Sequence, residues 1–129
     1  MCSSDLPAEK GPLSVAKYYI GATGNSSFGY FGGGHTSGTV SSVDRVDYSN
    51  DTATAVAKGP LSVVRRSAGA TGNADFGYFG GGDGAPPIVS TVDRIDYSSD
   101  TGTTPTKGPL SVARTKLAGV SAAADALPQ

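Results

Sequence analysis

The sequence predicts an all-β protein assembled from repeated units of short strands, and three observations predict it. The hexapeptide KGPLSV opens at Lys10, Lys58 and Lys107, spacings of 48 and 49 residues, and most of the residues after the first copy recur after the second. Glycine and proline are abundant, 19 and 8 residues in 129, which suits tight turns between short strands better than packed helices. No segment carries apolar residues convincingly at the 3.6-residue period of an amphipathic helix. A period of 40–50 residues is that of propeller blades or solenoid arrays, whose units bury their apolar faces against one another.

The chain divides accordingly into a segment 1–9 outside the repeat, a first unit at 10–57, a second at 58–106 and a partial third at 107–129. Residues 1–6, MCSSDL, match neither unit, and Cys-Ser-Ser-Asp-Leu is also what a short-read sequencing adapter encodes in one frame. They are expected to be an assembly artefact at the end of a metagenomic contig, so that Met1 is not a biological start. Genomic DNA encoding CSSDL in frame would end that expectation.

Each element can be justified in the second unit. Lys58-Gly59-Pro60 breaks regular structure, and an extended stretch is expected from Leu61 to about Ala70. Thr71-Gly72-Asn73-Ala74-Asp75 reads as a hairpin loop, because Gly and Asn tolerate the positive φ such turns use. Phe76–Phe79 is aromatic and strand-like, and stops at Gly80-Gly81-Gly82; a variable loop comes next at Asp83–Pro87. Ile88–Tyr97 is the next strand, with Val92 and Arg94 on one face and Asp93, Ile95 and Tyr97 on the other. Ser98–Gly102 is a second turn, Thr103–Thr106 a short polar edge strand, and Val120–Leu127 a short helix in the tail. The unit therefore holds about four strands, an antiparallel sheet.

Composition excludes several functions. Ten basic residues against eleven acidic ones give a net charge of −1, with no basic stripe for a nucleic acid or an anionic membrane. No apolar run approaches the length that spans a bilayer, and residues 1–9 lack the pattern of a secretory signal. The one cysteine, Cys2, has no partner for an internal disulfide, so cysteine usage assigns no compartment.

The order of motifs resembles the kelch repeat. FGYFGG at Phe28–Gly33 and Phe76–Gly81 stands where kelch has an apolar run and a glycine doublet. VDRVDYS at Val43–Ser49 and VDRIDYS at Val92–Ser98 stand where it has a strand ending in Tyr. PLSVAK, PLSVVR and PLSVAR stand near its Pro-x-x-Arg segment. The resemblance covers nearly the whole chain beyond residue 9, with one departure: kelch carries a Trp shortly after the Tyr, and here that region reads ATAVA or GTTPT. It implies a kelch-like β-propeller of four-stranded antiparallel blades, here an incomplete ring of about two and a half repeats. Propellers close with typically 4–8 blades. The chain is therefore expected to be a fragment of a longer protein, or else to assemble from several copies, so self-association enters as an expectation. A continuous β-solenoid is a third arrangement, favoured by many more than eight tandem units. The resemblance gives structural roles to Gly32, Gly33, Gly80 and Gly81 at the crowded strand ends and to Tyr48 and Tyr97 in the blades; Arg45, between Asp44 and Asp47, and its counterpart Arg94 are read as structural too, each pairing with a neighbouring carboxylate within or between blades.

No catalytic, metal or cofactor site is expected. GATGN and FGYFGGG lack the Gly-Lys-Ser/Thr ending and subsequent helix of a phosphate loop, and read as structural turns. Asp47–Thr52 and Asp96–Thr101 gather oxygen atoms that calcium would accept, but calcium needs six to eight oxygens and usually a bidentate carboxylate further along, and Asp, Ser and Asn are also ordinary turn residues. His35 is the only histidine and reads as a solvated loop residue, so neither a transition-metal site nor a Ser/His/Asp set can be built. Asp44 and Asp47 lie three apart on a strand and face opposite ways. Copper oxidases on kelch propellers use Tyr and His ligands with no matching motif here.

The units differ most at His35, Thr36 and Ser37 against Asp83 and its neighbours, and at Tyr18-Tyr19-Ile20 against Arg66-Ser67-Ala68. Specificity sits on variable loops of rigid scaffolds. These residues are therefore the candidate binding site, for a protein or glycan, of a non-catalytic repeat scaffold. The competing expectation is a propeller scaffold of an enzyme whose catalytic residues lie outside these residues, or a structural array of an extracellular or virion-surface protein.

Overall fold

Local hydrogen bonding sets the hairpins. Asn25 Oδ1 accepts from the backbone N–H groups of Ser27 and Phe28 at 2.8 and 2.9 Å, and Asn73 Oδ1 does the same for Asp75 and Phe76, both at 2.8 Å. A side chain that satisfies two turn donors fixes where the chain reverses. Asp47 and Asp96 play the same part at the next corner. Each accepts from the N–H and hydroxyl of the serine two positions on: Ser49 at 2.9 and 2.7 Å, Ser98 at 2.9 and 2.7 Å.

The computed structural model describes residues 9–84 and 87–116, so the helix expected at Val120–Leu127 lies outside them. The chain is all-β: β1 (Gly21–Gly24), β2 (Phe28–Gly32), β3 (Val43–Asp47), β4 (Val56–Lys58), β5 (Gly69–Gly72), β6 (Phe76–Gly80), β7 (Val92–Asp96) and β8 (Thr106–Lys107). Among the described residues there is no α-helix, only a single 3-10 turn at Tyr48–Asn50. The strands form two four-stranded antiparallel sheets in chain order, β1–β4 and β5–β8. Register repeats with the sequence: Gly21 faces Gly32 and Phe28 faces Asp47 in the first sheet, Gly69 faces Gly80 and Phe76 faces Asp96 in the second.

Several boundaries differ from those expected. Leu61–Ala70 is not one strand; β5 begins at Gly69, and Thr71 and Gly72 belong to it rather than to the loop. The third strand of the second sheet is Val92–Asp96 rather than Ile88–Tyr97, and Ile88 instead makes an isolated bridge with Asp83. The edge strand is Thr106–Lys107, just past Pro105, which has no N–H to donate. The first difference has a clear cause. The N–H groups of Leu61, Arg65 and Ser67 donate to Ser41, Val40 and Tyr19 carbonyls of the first unit at 2.9, 3.1 and 2.8 Å. The KGPLSV segment is thus a wedge between sheets. The third copy repeats it: Leu110, Arg114 and Lys116 donate to Ser90, Val89 and Ser67 at 2.8, 3.3 and 2.8 Å.

The core lies between the sheets. Tyr30 and Val43 from the first sheet meet Phe79, Ile95 and Tyr97 from the second, with Leu61 of the wedge completing the cluster. Tyr30 and Tyr97 stack with centroids 5.1 Å apart. Gly32 leaves room for Phe79: a Cβ there would lie 2.9 Å from the ring. Gly33 and Gly81 have φ of +70° and +68°, a conformation that side chains disfavour. Gly80 is less crowded, its nearest neighbours, Leu110 and Val92, 3.6 Å from a hypothetical Cβ.

Polar contacts cross the same junction. Asp100 accepts from Tyr30 Oη at 2.7 Å and pairs with Arg45 at 3.0 Å and Lys58 at 3.6 Å. Tyr97 Oη lies 2.9 Å from Thr23 Oγ1 and donates to the Gly24 carbonyl at 3.3 Å. Each wedge also ties to its own sheet. Ser62 N–H and Oγ both donate to Asp93 at 2.7 Å, and Arg65 pairs with Asp93 at 2.8 Å with both side chains fully buried. Arg65 further donates to the Thr91, Phe79 and Gly81 carbonyls at 2.8, 3.1 and 3.2 Å. In the first unit Ser14 holds Asp44 at 2.8 Å, while Lys17 reaches the Ser42 carbonyl at 3.1 Å. Burial lowers the pKa of Arg65 and of Lys17, opposed by Asp93 and Asp44 respectively.

Candidate functional site

The variable residues converge at one end of the sheets, beside the start of β1 and the end of β2. Tyr18 forms a backbone bridge with His35, as Arg66 does with Asp83, so the two variable segments of each unit are held side by side. Tyr18 and His35 exchange N–H···O bonds at 3.1 and 2.8 Å, and Arg66 and Asp83 do so at 3.1 and 2.9 Å. The wedge then sets the second pair next to the first, because the Ser67 N–H donates to the Tyr19 carbonyl at 2.8 Å.

Side chains of the two units meet as a result. The Tyr18 ring lies 4.7 Å from that of Tyr19 and 5.2 Å from that of His35. The Arg66 guanidinium sits 5.8 Å above the Tyr19 ring and pairs with Asp83 at 3.3 Å. Tyr18 and Tyr19 are 52% and 55% exposed, a pair of aromatic faces left to solvent beside a charge pair. Ser37 is exposed in the same loop, and Thr36 closes a small turn by donating its N–H to the Gly38 carbonyl at 3.0 Å.

A groove of about 300 Å³ runs beside this patch, lined by Tyr19, Arg66, Ser67, Asp83, Thr115 and Lys116. Four of these, Tyr19, Arg66, Ser67 and Asp83, lie in the variable segments singled out from the sequence. Thr115 and Lys116 were not, and the one available signal was position: Tyr19, Ser67 and Lys116 occupy the same place in successive units. All three have positive φ, 60°, 57° and 59°. This is a left-handed conformation that costs a non-glycine residue roughly 1 kcal/mol. The strain is held by the backbone bonds that link these residues to one another across the units.

His35 differs from its expected solvated state. It is half-buried under Tyr18, and its Nδ1 is buried without a hydrogen-bond partner among the described residues. Of the residues assigned structural parts, Arg45 and Arg94 stack 4.3 Å over Phe28 and Phe76, and Arg45 also pairs across the sheets with Asp100. Tyr97 is in the core, and its counterpart Tyr48 is 51% exposed. Among the described residues, no group of three or more His, Cys, Asp or Glu side chains is placed to hold a metal ion. The patch offers aromatic faces, a cation, a carboxylate and hydroxyls, the means of recognition by stacking and hydrogen bonding. Comparison with protein-family models finds no match, and comparison with curated proteins finds none either.

Proposed function

We propose that this chain is a non-catalytic binding module, a kelch-like propeller fragment that presents the Tyr18–Tyr19–His35 aromatics and the adjoining Arg66–Asp83 groove to a glycan or protein surface. One observation carries this reading: the positions at which the units differ most, two segments far apart in sequence, form one continuous surface. A drifting surface would have no need to place them together. Exposed tyrosines stack on the C–H faces of sugar rings or on apolar side chains, and Arg66 and Asp83 supply directional hydrogen bonds around them.

An immobilised glycan array and a peptide array, each probed with the wild-type chain, test the proposal. Binding is expected on one of them, and Tyr19→Ala or Arg66→Gln should lower it at least tenfold without changing the thermal midpoint. Binding that survives both substitutions, or its absence on both arrays, would refute this surface as the site.

A further inference from the structure

A single position of the repeat lines the groove three times. Tyr19, Ser67 and Lys116 stand at the same place in successive units, and all three face into it. Backbone joins them in a row: the Ser67 N–H donates to the Tyr19 carbonyl and the Lys116 N–H to the Ser67 carbonyl, both at 2.8 Å. The KGPLSV segment ahead of each is identical, yet the side chain changes from phenol to hydroxyl to ammonium. Left-handed backbone at non-glycine residues gathers at ligand sites, and here it is kept while the side chain varies, at φ of 60°, 57° and 59°.

The chemistry of the groove is unbalanced in charge. Arg66 pairs with Asp83 at 3.3 Å, whereas Lys116 is exposed and its ammonium has no ion pair or hydrogen bond among the described residues. One cation is therefore left over. The Tyr19 ring stands exposed beside it, with the Arg66 guanidinium 5.8 Å from the ring centroid. Thr115 Oγ1 donates to the Ser67 carbonyl at 3.3 Å and keeps its lone pairs to accept, and Ser67 Oγ makes no hydrogen bond among the described residues.

We infer that this groove takes an acidic sugar, a hexuronate residue of a glycan; the inference rests on the binding reading above and names its ligand class. The sugar carboxylate pairs with Lys116 Nζ, and the C–H face of the ring lies on Tyr19. Ring hydroxyls donate to Asp83 and Thr115 and accept from Arg66 and Ser67. Charge complementarity selects the class. A neutral sugar leaves Lys116 unpaired, and a densely sulfated polyanion is repelled by the Asp83 carboxylate. An acidic peptide supplies the carboxylate but not the hydroxyls that Asp83 and Ser67 are placed to meet.

An array of galacturonate, glucuronate and mannuronate oligosaccharides, each printed beside its carboxyl-reduced counterpart and probed with the full chain, tests this. The wild type should bind at least one uronate on the order of tenfold more tightly than the reduced form, and the preference should fade as salt is raised. Lys116→Gln should remove the preference but keep residual binding, because Tyr19 and the hydroxyl contacts remain, and Lys116→Arg should retain it. Tyr19→Ala should weaken acid and reduced forms alike. With no side-chain bond to lose, the Lys116 variants should melt as the wild type does. Equal binding of acid and reduced forms that Tyr19→Ala abolishes, or a preference that survives Lys116→Gln, would overturn the acidic-sugar assignment and leave the binding surface standing. Binding untouched by Tyr19→Ala would refute the surface itself. Absence of binding to every glycan would overturn this inference, while the peptide array decides the reading on which it rests.

Discussion

Gly32 and Gly80 occupy the same place in successive units, yet their surroundings differ. A methyl at Gly32 would press on the Phe79 ring from 2.9 Å, whereas at Gly80 it would make ordinary contact with Leu110 and Val92 at 3.6 Å. Gly32→Ala is therefore expected to cost roughly 1–3 kcal/mol and Gly80→Ala less than about 0.5 kcal/mol, read from urea unfolding. Equal losses would mean that Phe79 does not sit over Gly32. The carboxylates invite a similar pairing. Asp93→Ala strands the fully buried Arg65 and should cost about 3–5 kcal/mol. Asp44→Ala, whose cation neighbour Lys17 is only half-buried, should cost about 1–2 kcal/mol in the same assay. Burial, then the hydrogen bond to Asp100, raises the pKa of Tyr30 well above its usual value, and burial raises that of Tyr97. Above about pH 10 the unfolded chain loses these phenolic protons first, so the folded state binds more protons and stability falls as pH rises. The depressed Lys17 acts oppositely, but the Tyr30 shift is larger and sets the sign. Tyr30→Phe should weaken the fall in melting temperature between pH 9 and pH 11; an unchanged slope would remove Tyr30 as its source.

At the scale of elements, the wedge decides how the units join. Its N–H groups bond to the preceding unit while its Ser and Arg side chains bond to its own sheet, so it holds two sheets at a fixed offset. Ser67 carries the strained backbone of this link, at φ +57°. Ser67→Val should cost about 1–2 kcal/mol and Ser67→Gly should be close to neutral, measured by thermal unfolding; a Val variant as stable as wild type would show that the left-handed turn is not required. The hairpins were legible because their signals are local: Asn25, Asn73, Asp47 and Asp96 each bond to backbone within three residues. The wedge was not, because its partners, Ser41, Val40 and Tyr19, belong to another unit. Its apolar Leu61 and Val63 read as the start of a strand, and only the destination of their donors distinguishes the two.

For the whole molecule, the repeat predicted that units bury their faces against each other, and the Tyr30–Phe79–Tyr97 cluster is such a core. The candidate surface was legible as a list of variable positions but not as a surface. Nothing in the spacing of Tyr19 and Arg66 places them together; the wedge does. The buried Arg65–Asp93 pair was also missed: Asp93 was placed on one strand face with Ile95 and Tyr97, but nothing in the Leu61–Ala70 stretch marked Arg65 as its partner. Its one signal was recurrence, a cation at Lys17, Arg65 and Arg114 and an aspartate at Asp44 and Asp93. The binding surface depends on the packing of one sheet on the next, so the most direct test is a nuclear Overhauser spectrum of the labelled chain. Cross-peaks are predicted from the Phe79 ring protons to the α protons of Gly32 and Gly21, and between the Tyr30 and Tyr97 rings. Cross-strand peaks within each sheet, with none between Phe79 and Gly32, would mean that the sheets fold without packing and would contradict the account.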